Sequence, residues 1–372
     1  MSATKRNIPF FDYPRLYKDN KDEYLSIFKD ICERGAFIMQ KDVDEFEENL
    51  CNFINSKFSV GVGNATDGLE ICWLAAGLEK GDEVICSSHT MLATASSIKL
   101  SGGVPIPVDI GEDNLIDPES IEASINSRTV GIMPTQLNGR VCDMEKILNI
   151  AEKYKLIVIE DAAQSLGAKY CGKSSGTFGL ASAISFFPAK VLGSFGDAGA
   201  VVTDDPKFFD KVYQLHDHGR DINGEVKSWG RNSRLDNLQA AILNYKFKSY
   251  DETIKRRRQI AKIYNDSLKE IEEINLPPGP SNTSNNFDVF QNYELTAKKR
   301  NELKEFLSLN GIGTLIQWGG KGIHQWKVLG FKDKLPKTEL FFERCLMLPI
   351  NMFISDEDVY YICEKIIEFY RK

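Results

Sequence analysis

The chain has 372 residues, 42% of them hydrophobic and 27% charged, with a formal net charge of -7. That length exceeds what one hydrophobic core usually serves and predicts a large and a smaller domain, while the acidic balance gives no reason to expect a nucleic-acid partner. No N-terminal stretch has the charged-then-apolar form of a signal, and no apolar run reaches membrane-spanning length. The eight scattered cysteines lack C-x-x-C spacing, which argues against a zinc site or disulfide framework and for a reduced, cytoplasmic protein.

In chain order, Tyr17 to Glu33 and Asp42 to Asn55 read as amphipathic helices, the first ended by Gly35 and the second opened by Asp42 with Glu45 in capping-box spacing. Val60-Gly61-Val62-Gly63-Asn64-Ala65-Thr66-Asp67-Gly68 then gives way to a helical pattern. Backbone N–H groups and the Thr66 hydroxyl at such a helix start make a phosphate site. A dinucleotide fingerprint would need glycine where Thr66 stands, and a Walker loop would need a Gly-Lys-Ser/Thr that is missing.

Strands follow at Val84 to Cys86, Val104 to Val108 and Val130 to Pro134, with helices near Ala93 to Leu100 and Glu119 to Asn126 between them. This alternation continues to about Asp205 and predicts an α/β fold with a mostly parallel sheet covered on both faces. Helical patterning from Leu238 to Ile271 contains the basic run Lys255-Arg256-Arg257-Arg258, which reads as the solvated face of a helix. It leads to the breaker cluster Leu276 to Asn286. Beyond that, Phe287 to Leu295 reads as a strand, and Lys298 to Asn310 and Asp356 to Arg371 as helices. The division is therefore expected at residue 250, with a large domain over 1–249 and a small α+β domain over 250–372.

The chemistry centres on one acid and one lysine. Ile157-Val-Ile-Glu160-Asp161 reads as a buried strand that delivers a carboxylate to its carboxyl end, where open α/β sheets bind ligands. A second apolar run, Ala181 to Phe187, leads to Lys190 in a loop closed by Gly193 and Gly196. A lysine whose stem lies among apolar side chains, across from a buried acid, suits pyridoxal phosphate: Lys190 as the Schiff-base amine and Asp161 as the partner of the pyridinium nitrogen.

Five ordered motifs carry a resemblance over nearly the whole chain. They are Gly63-Asn-Ala-Thr-Asp67, Glu160-Asp-Ala-Ala-Gln164, Ser185-Phe-Phe-Pro-Ala-Lys190, Gly196-Asp-Ala-Gly199 and Asn232-Ser-Arg-Leu-Asp-Asn-Leu-Gln-Ala-Ala241. Their order resembles the DegT/DnrJ/EryC1/StrS aminotransferases, pyridoxal phosphate enzymes of fold type I that aminate nucleotide-linked keto sugars. The resemblance implies phosphate contacts from Thr66, the Asp67 backbone and Ser185, and from Asn232 of a neighbouring subunit, hence a homodimer with composite sites. It implies Gln164 beside the ring hydroxyl, although a glutamine there also suits a backbone cap. Where the family often stacks an aromatic on the cofactor, this chain offers Met91, with His89 two residues earlier. Trp318 and His324, flanking a glycine-rich turn, are candidate substrate contacts or plain packing residues.

The resemblance further implies L-glutamate as donor, leaving as 2-oxoglutarate, and a keto-6-deoxyhexose as acceptor. The phrase Asn232-Ser233-Arg234 is more similar to relatives acting at C3 than at C4. Three rivals are a pyridoxal phosphate-dependent dehydratase, disfavoured by Lys190, a nicotinamide oxidoreductase, disfavoured by Thr66, and a non-catalytic regulatory protein of the same fold, which would have to lack Asp161, Lys190 or the phosphate turn or carry an appended DNA-binding segment.

Overall fold

The computed structural model describes residues 6–281 and 285–371. Seven strands form the central sheet: β1 (Phe58–Val62), β2 (Glu83–Ser87), β3 (Val104–Val108), β4 (Thr129–Met133), β5 (Ile157–Asp161), β6 (Ala181–Ser185) and β7 (Gly199–Thr203). Their spatial order is β1-β7-β6-β5-β4-β2-β3, and β7 alone runs against its neighbours. The mostly parallel sheet expected from the sequence is thus present.

Alternation along each strand packs both faces of the sheet. Ile85, Ile132, Val158, Ile184 and Val202 pack on one face with Phe46, Leu50 and Ile147, whereas Cys86, Met133, Ile159, Ala183 and Val201 pack on the other with Leu69 and Trp73. Burying each large aliphatic side chain in this way contributes about 1.5–3 kcal/mol. Helix Ala65–Ala76 presses close to the sheet through Gly68, where an added Cβ would lie 3.2 Å from both Ala183 and Val201.

A second core gathers Tyr264, Leu268, Tyr293, Leu295, Leu303, Leu346, Val359 and Ile362 around the antiparallel strands Ile274–Asn275, Tyr293–Ala297 and Cys345–Leu348. Ile8 joins this core and bridges to Ile312. The division expected at residue 250 coincides with the first residue of helix Tyr250–Leu268. Yet Tyr250 and Ile254 pack into a sheet core and Ile260, Tyr264 and Leu268 into the second one. We propose that the two units meet inside this helix.

Several local expectations need correction. The basic run is not a solvated face. Arg257 is buried and donates to the carbonyls of Ile350 and Gln291, Arg256 pairs with Asp356, and Arg258 lies 4.0 Å over the Phe287 ring and donates to the Asp288 carbonyl. Of the four, Lys255 is the fully exposed one, beside Glu252. Asp42 forms no capping box: its helix starts at Lys41, and its carboxylate takes bonds from Asn237 and Arg34. The strand expected over 287–295 begins only at Tyr293, because Phe290 adopts φ 52° and breaks the extended backbone. Asn286 and Phe287 pair instead with Tyr170 and Lys169. Residues 282–284 of the breaker cluster lie outside the described residues. Among the described residues, no helix is long and apolar enough to cross a membrane.

Candidate active site

The alternation of β5 sends its two terminal carboxylates to opposite faces. Glu160 turns away from the cavity described below and is satisfied there by Gln136 Nε2 and the amides of Gly176, Phe178 and Gly179. Asp161 faces the carboxyl edge of the sheet, 3% exposed. Its Oδ2 accepts from the Thr94 hydroxyl at 2.6 Å and its Oδ1 from the Ala163 amide at 3.2 Å. Burial pushes the Asp161 carboxyl up, against the pull of the Thr94 hydroxyl, the Ala163 amide and the Lys190 charge.

Lys190 comes from the loop that follows β6. The loop turns tightly, since the Lys190 amide donates to the Phe187 carbonyl and a Cβ on Gly193 would lie 2.6 Å from the Pro188 carbonyl oxygen. Gln291 fastens it from the other side, accepting from the Val191 amide and donating to the Ala189 carbonyl, each at 2.9 Å. Lack of water around the amine depresses its pKa to about 8, opposed by the charge of Asp161. A sizeable fraction of the amine is therefore neutral near pH 8 and able to attack a carbonyl.

The third wall is the start of helix Ala65–Ala76. Asn64 caps it, its side chain accepting from the Asp67 amide at 2.9 Å. Gly199 of β7 lets the sheet reach this turn, for a Cβ there would meet the Ala65 nitrogen at 2.7 Å. The expectation that the Asp67 amide receives phosphate therefore meets competition from Asn64. Asn64, Ala65 and Thr66 line the cavity at this helix start, and Asp67 does not. The Asp67 carboxylate points elsewhere, taking the Ser233 hydroxyl at 2.7 Å.

These elements enclose a cavity of about 420 Å³ whose lining includes Thr66, Met91, Asp161, Gln164, Ser185, Lys190 and Trp318. Gln164 Oε1 accepts from the Asn138 amide at 3.0 Å, so the backbone-cap role exists alongside its place in the cavity wall. Met91 is exposed at the start of helix Leu92–Leu100, its sulfur near the Ala93 amide.

Two expected contacts are not brought to the cavity. His89 is 2% exposed and packs against Phe341 and Phe342, with Nε2 3.3 Å from Glu294 and Nδ1 bonded to the Asn114 carbonyl. It cannot stack where Met91 lies. His324 is also buried, 3.5 Å from Glu339, and burial lowers its pKa. Asn232 is exposed and does not line its own chain's cavity.

Pyridoxal phosphate fits the residues present. A buried acid suits the pyridine nitrogen, a lysine with a lowered pKa the aldehyde, and a helix start with Thr66 and Ser185 the phosphate. The sequence profile of the DegT/DnrJ/EryC1/StrS aminotransferase family matches residues 18–367. The chain belongs to that family.

Like other DegT/DnrJ/EryC1/StrS proteins, it is a pyridoxal phosphate-dependent sugar aminotransferase. It is 37% identical to a pleiotropic regulatory protein of Geobacillus stearothermophilus, over 98% of this chain and 99% of that one. It is 35% identical to the UDP-2-acetamido-2-deoxy-3-oxo-D-glucuronate aminotransferase of Pseudomonas aeruginosa, over 96% of this chain and 98% of the relative. The crystal structure of DesV from S. venezuelae superposes with a TM-score of 0.94 at 30% identity, covering 98% of this chain and 99% of DesV.

Within this family site, the sequence reading missed Thr94 and Gln291. Thr94 stands three residues after Met91 but carries no local signal. Gln291 lies 101 positions from Lys190, and only the fold brings it there.

Proposed function

We propose that this aminotransferase moves the amino group of L-glutamate onto the ketone of a nucleotide-linked 6-deoxyhexose, at C3 in preference to C4, and releases 2-oxoglutarate. The observation that carries this reading is the pairing of buried Asp161 with Lys190 across one cavity. Pyridoxal phosphate, when bound, supplies an electron sink beside the amino-bearing carbon. Asp161 holds the proton on the ring nitrogen, and Lys190 Nζ takes a proton from the donor carbon and returns it to the acceptor. Met91 and Trp318 line the same cavity. The 3-oxo substrate in the Pseudomonas relative's name supports C3.

In this reading the enzyme is a homodimer and Asn232 completes the phosphate site of the neighbouring subunit. Support comes from the segment leading to Asn232, where Ile222, Val226 and Trp229 are 77%, 70% and 95% exposed. Apolar side chains set together in the open fit a subunit interface. The free thiols suit a cytoplasmic reaction.

The name of the Geobacillus relative favours a second reading, a regulatory protein on the same fold. The intact Asp161 and Lys190 weigh against it, because a protein that only binds has no need of the pair.

Incubation with L-glutamate and either a 3-keto or a 4-keto nucleotide-linked 6-deoxyhexose, with product structure by NMR, tests the proposal. A 3-amino product is expected. Amination of the 4-keto sugar alone would overturn the position, and amination of neither would overturn the substrate class.

A further inference from the structure

Three threonine hydroxyls, from three different segments, form a single file ending on Asp161. Thr94 Oγ1 lies 2.6 Å from Asp161 Oδ2, Thr90 Oγ1 lies 2.6 Å from Thr94 Oγ1, and Thr135 Oγ1 lies 2.9 Å from Thr90 Oγ1. Thr90 follows β2, Thr94 lies in helix Leu92–Leu100, and Thr135 follows β4 beside the end of β5. They are 1%, 0% and 4% exposed.

Burial leaves these hydroxyls little choice of partner, and the carboxylate fixes their direction. An ionised carboxylate only accepts, so Thr94 must donate to it. Thr94 Oγ1 then accepts from Thr90, and Thr90 accepts from Thr135. Each link polarises the next, which makes Thr94 a stronger donor than an isolated hydroxyl.

We propose that Thr94, supported by Thr90 and Thr135, is a positioning residue for catalysis that keeps Asp161 ionised and aims its free lone pairs at the cofactor ring. The need follows from the site itself. Burial favours a neutral acid, and a neutral carboxyl cannot hold a proton on the pyridine nitrogen. The other charged groups lining the same cavity are Lys190 and Asp197, and the Lys190 charge favours the ionised form of Asp161. The Ala163 amide bonds the other oxygen, Oδ1, leaving Thr94 as the side-chain donor to Oδ2. The inference deepens the aminotransferase reading and rests on it.

The test compares Thr94→Val, which keeps shape and removes the hydroxyl, with Thr94→Ser, which keeps the hydroxyl. The first readout is the Asp161 carboxyl titration in cofactor-free protein, by carbon-13 NMR of labelled aspartate with Asp161→Asn assigning the resonance. The second is the single-turnover rate of the cofactor-loaded protein with L-glutamate. A hydrogen bond to a charged group predicts that Thr94→Val raises the titration midpoint by about one pH unit or more and slows turnover roughly tenfold or more. Thr94→Ser should stay near the parent in both, and Thr90→Val should give a smaller shift in the same direction. An unshifted midpoint in Thr94→Val, or a Thr94→Ser protein as impaired as Thr94→Val, would overturn the proposal. If the parent protein ignores L-glutamate, the aminotransferase reading fails while the carboxyl titration still decides the role of Thr94.

Discussion

Gln291 grips the chain on both sides of Lys190, taking the amide of Val191 and giving to the carbonyl of Ala189, each at 2.9 Å. Its own carbonyl is held by buried Arg257, which also binds the Ile350 carbonyl. Helix Tyr250–Leu268 thereby ties the lysine loop to the second core.

Gln291→Ala removes both bonds at a buried position. An unsatisfied buried group costs about 1–3 kcal/mol, so a fall in thermal stability is expected. A small displacement of a reacting group slows chemistry steeply, and kcat is expected to fall roughly tenfold or more. Thermal unfolding and steady-state kinetics check both effects; an unchanged kcat would show that the loop holds its shape unaided.

Lys190 attacks a carbonyl only as the neutral amine. Because burial lowers its pKa to about 8, capture of pyridoxal phosphate by cofactor-free protein should quicken as pH rises through about 8 and then level off. Asp161 opposes the depression, so Asp161→Asn should move the midpoint to lower pH. A capture rate still climbing towards the ordinary lysine range would contradict the buried environment.

Gly199→Ala places a methyl 2.7 Å from the Ala65 nitrogen. The helix start must then move off the sheet, and cofactor affinity should fall roughly tenfold, equivalent to about 1.4 kcal/mol. Fluorescence titration with pyridoxal phosphate measures this. Undiminished affinity would place the phosphate away from this turn.

The proposed composite sites make a sharp expectation for mixed subunits. Lys190→Ala and Asn232→Ala should each be impaired alone, whereas a mixed dimer regains one complete site, with Lys190 from one protomer and Asn232 from the other. Activity after co-refolding equal only to the sum of the separate variants would assign Asn232 no role across the interface.

The parts of the site that were legible in the sequence are those whose signal is local. The β-branched run into Asp161, the capped turn at Asn64 and Thr66, and the glycines around Lys190 each announce a backbone geometry within a few residues. The buried settings of His89 and His324 were not legible because distant chain makes them. Glu294 lies 205 positions from His89, and the backbone beside His324 is tied to Ser88, whose carbonyl accepts from the Ile323 amide. The arginine run misled because its partners, Gln291, Ile350 and Asp356, lie 34, 93 and 100 positions away. Thr94 and Gln291 act through other residues, and such roles leave no periodicity to read.

The most direct test of the central claim is the visible absorption spectrum of the purified protein before and after L-glutamate. Lysine-bound pyridoxal phosphate makes the protein yellow, and the account expects L-glutamate to bleach that colour towards the near ultraviolet as the cofactor takes up the amino group. A yellow protein indifferent to L-glutamate would contradict the donor, and a protein that stays colourless after added pyridoxal phosphate would contradict the assignment of Lys190 and Asp161 as its catalytic pair.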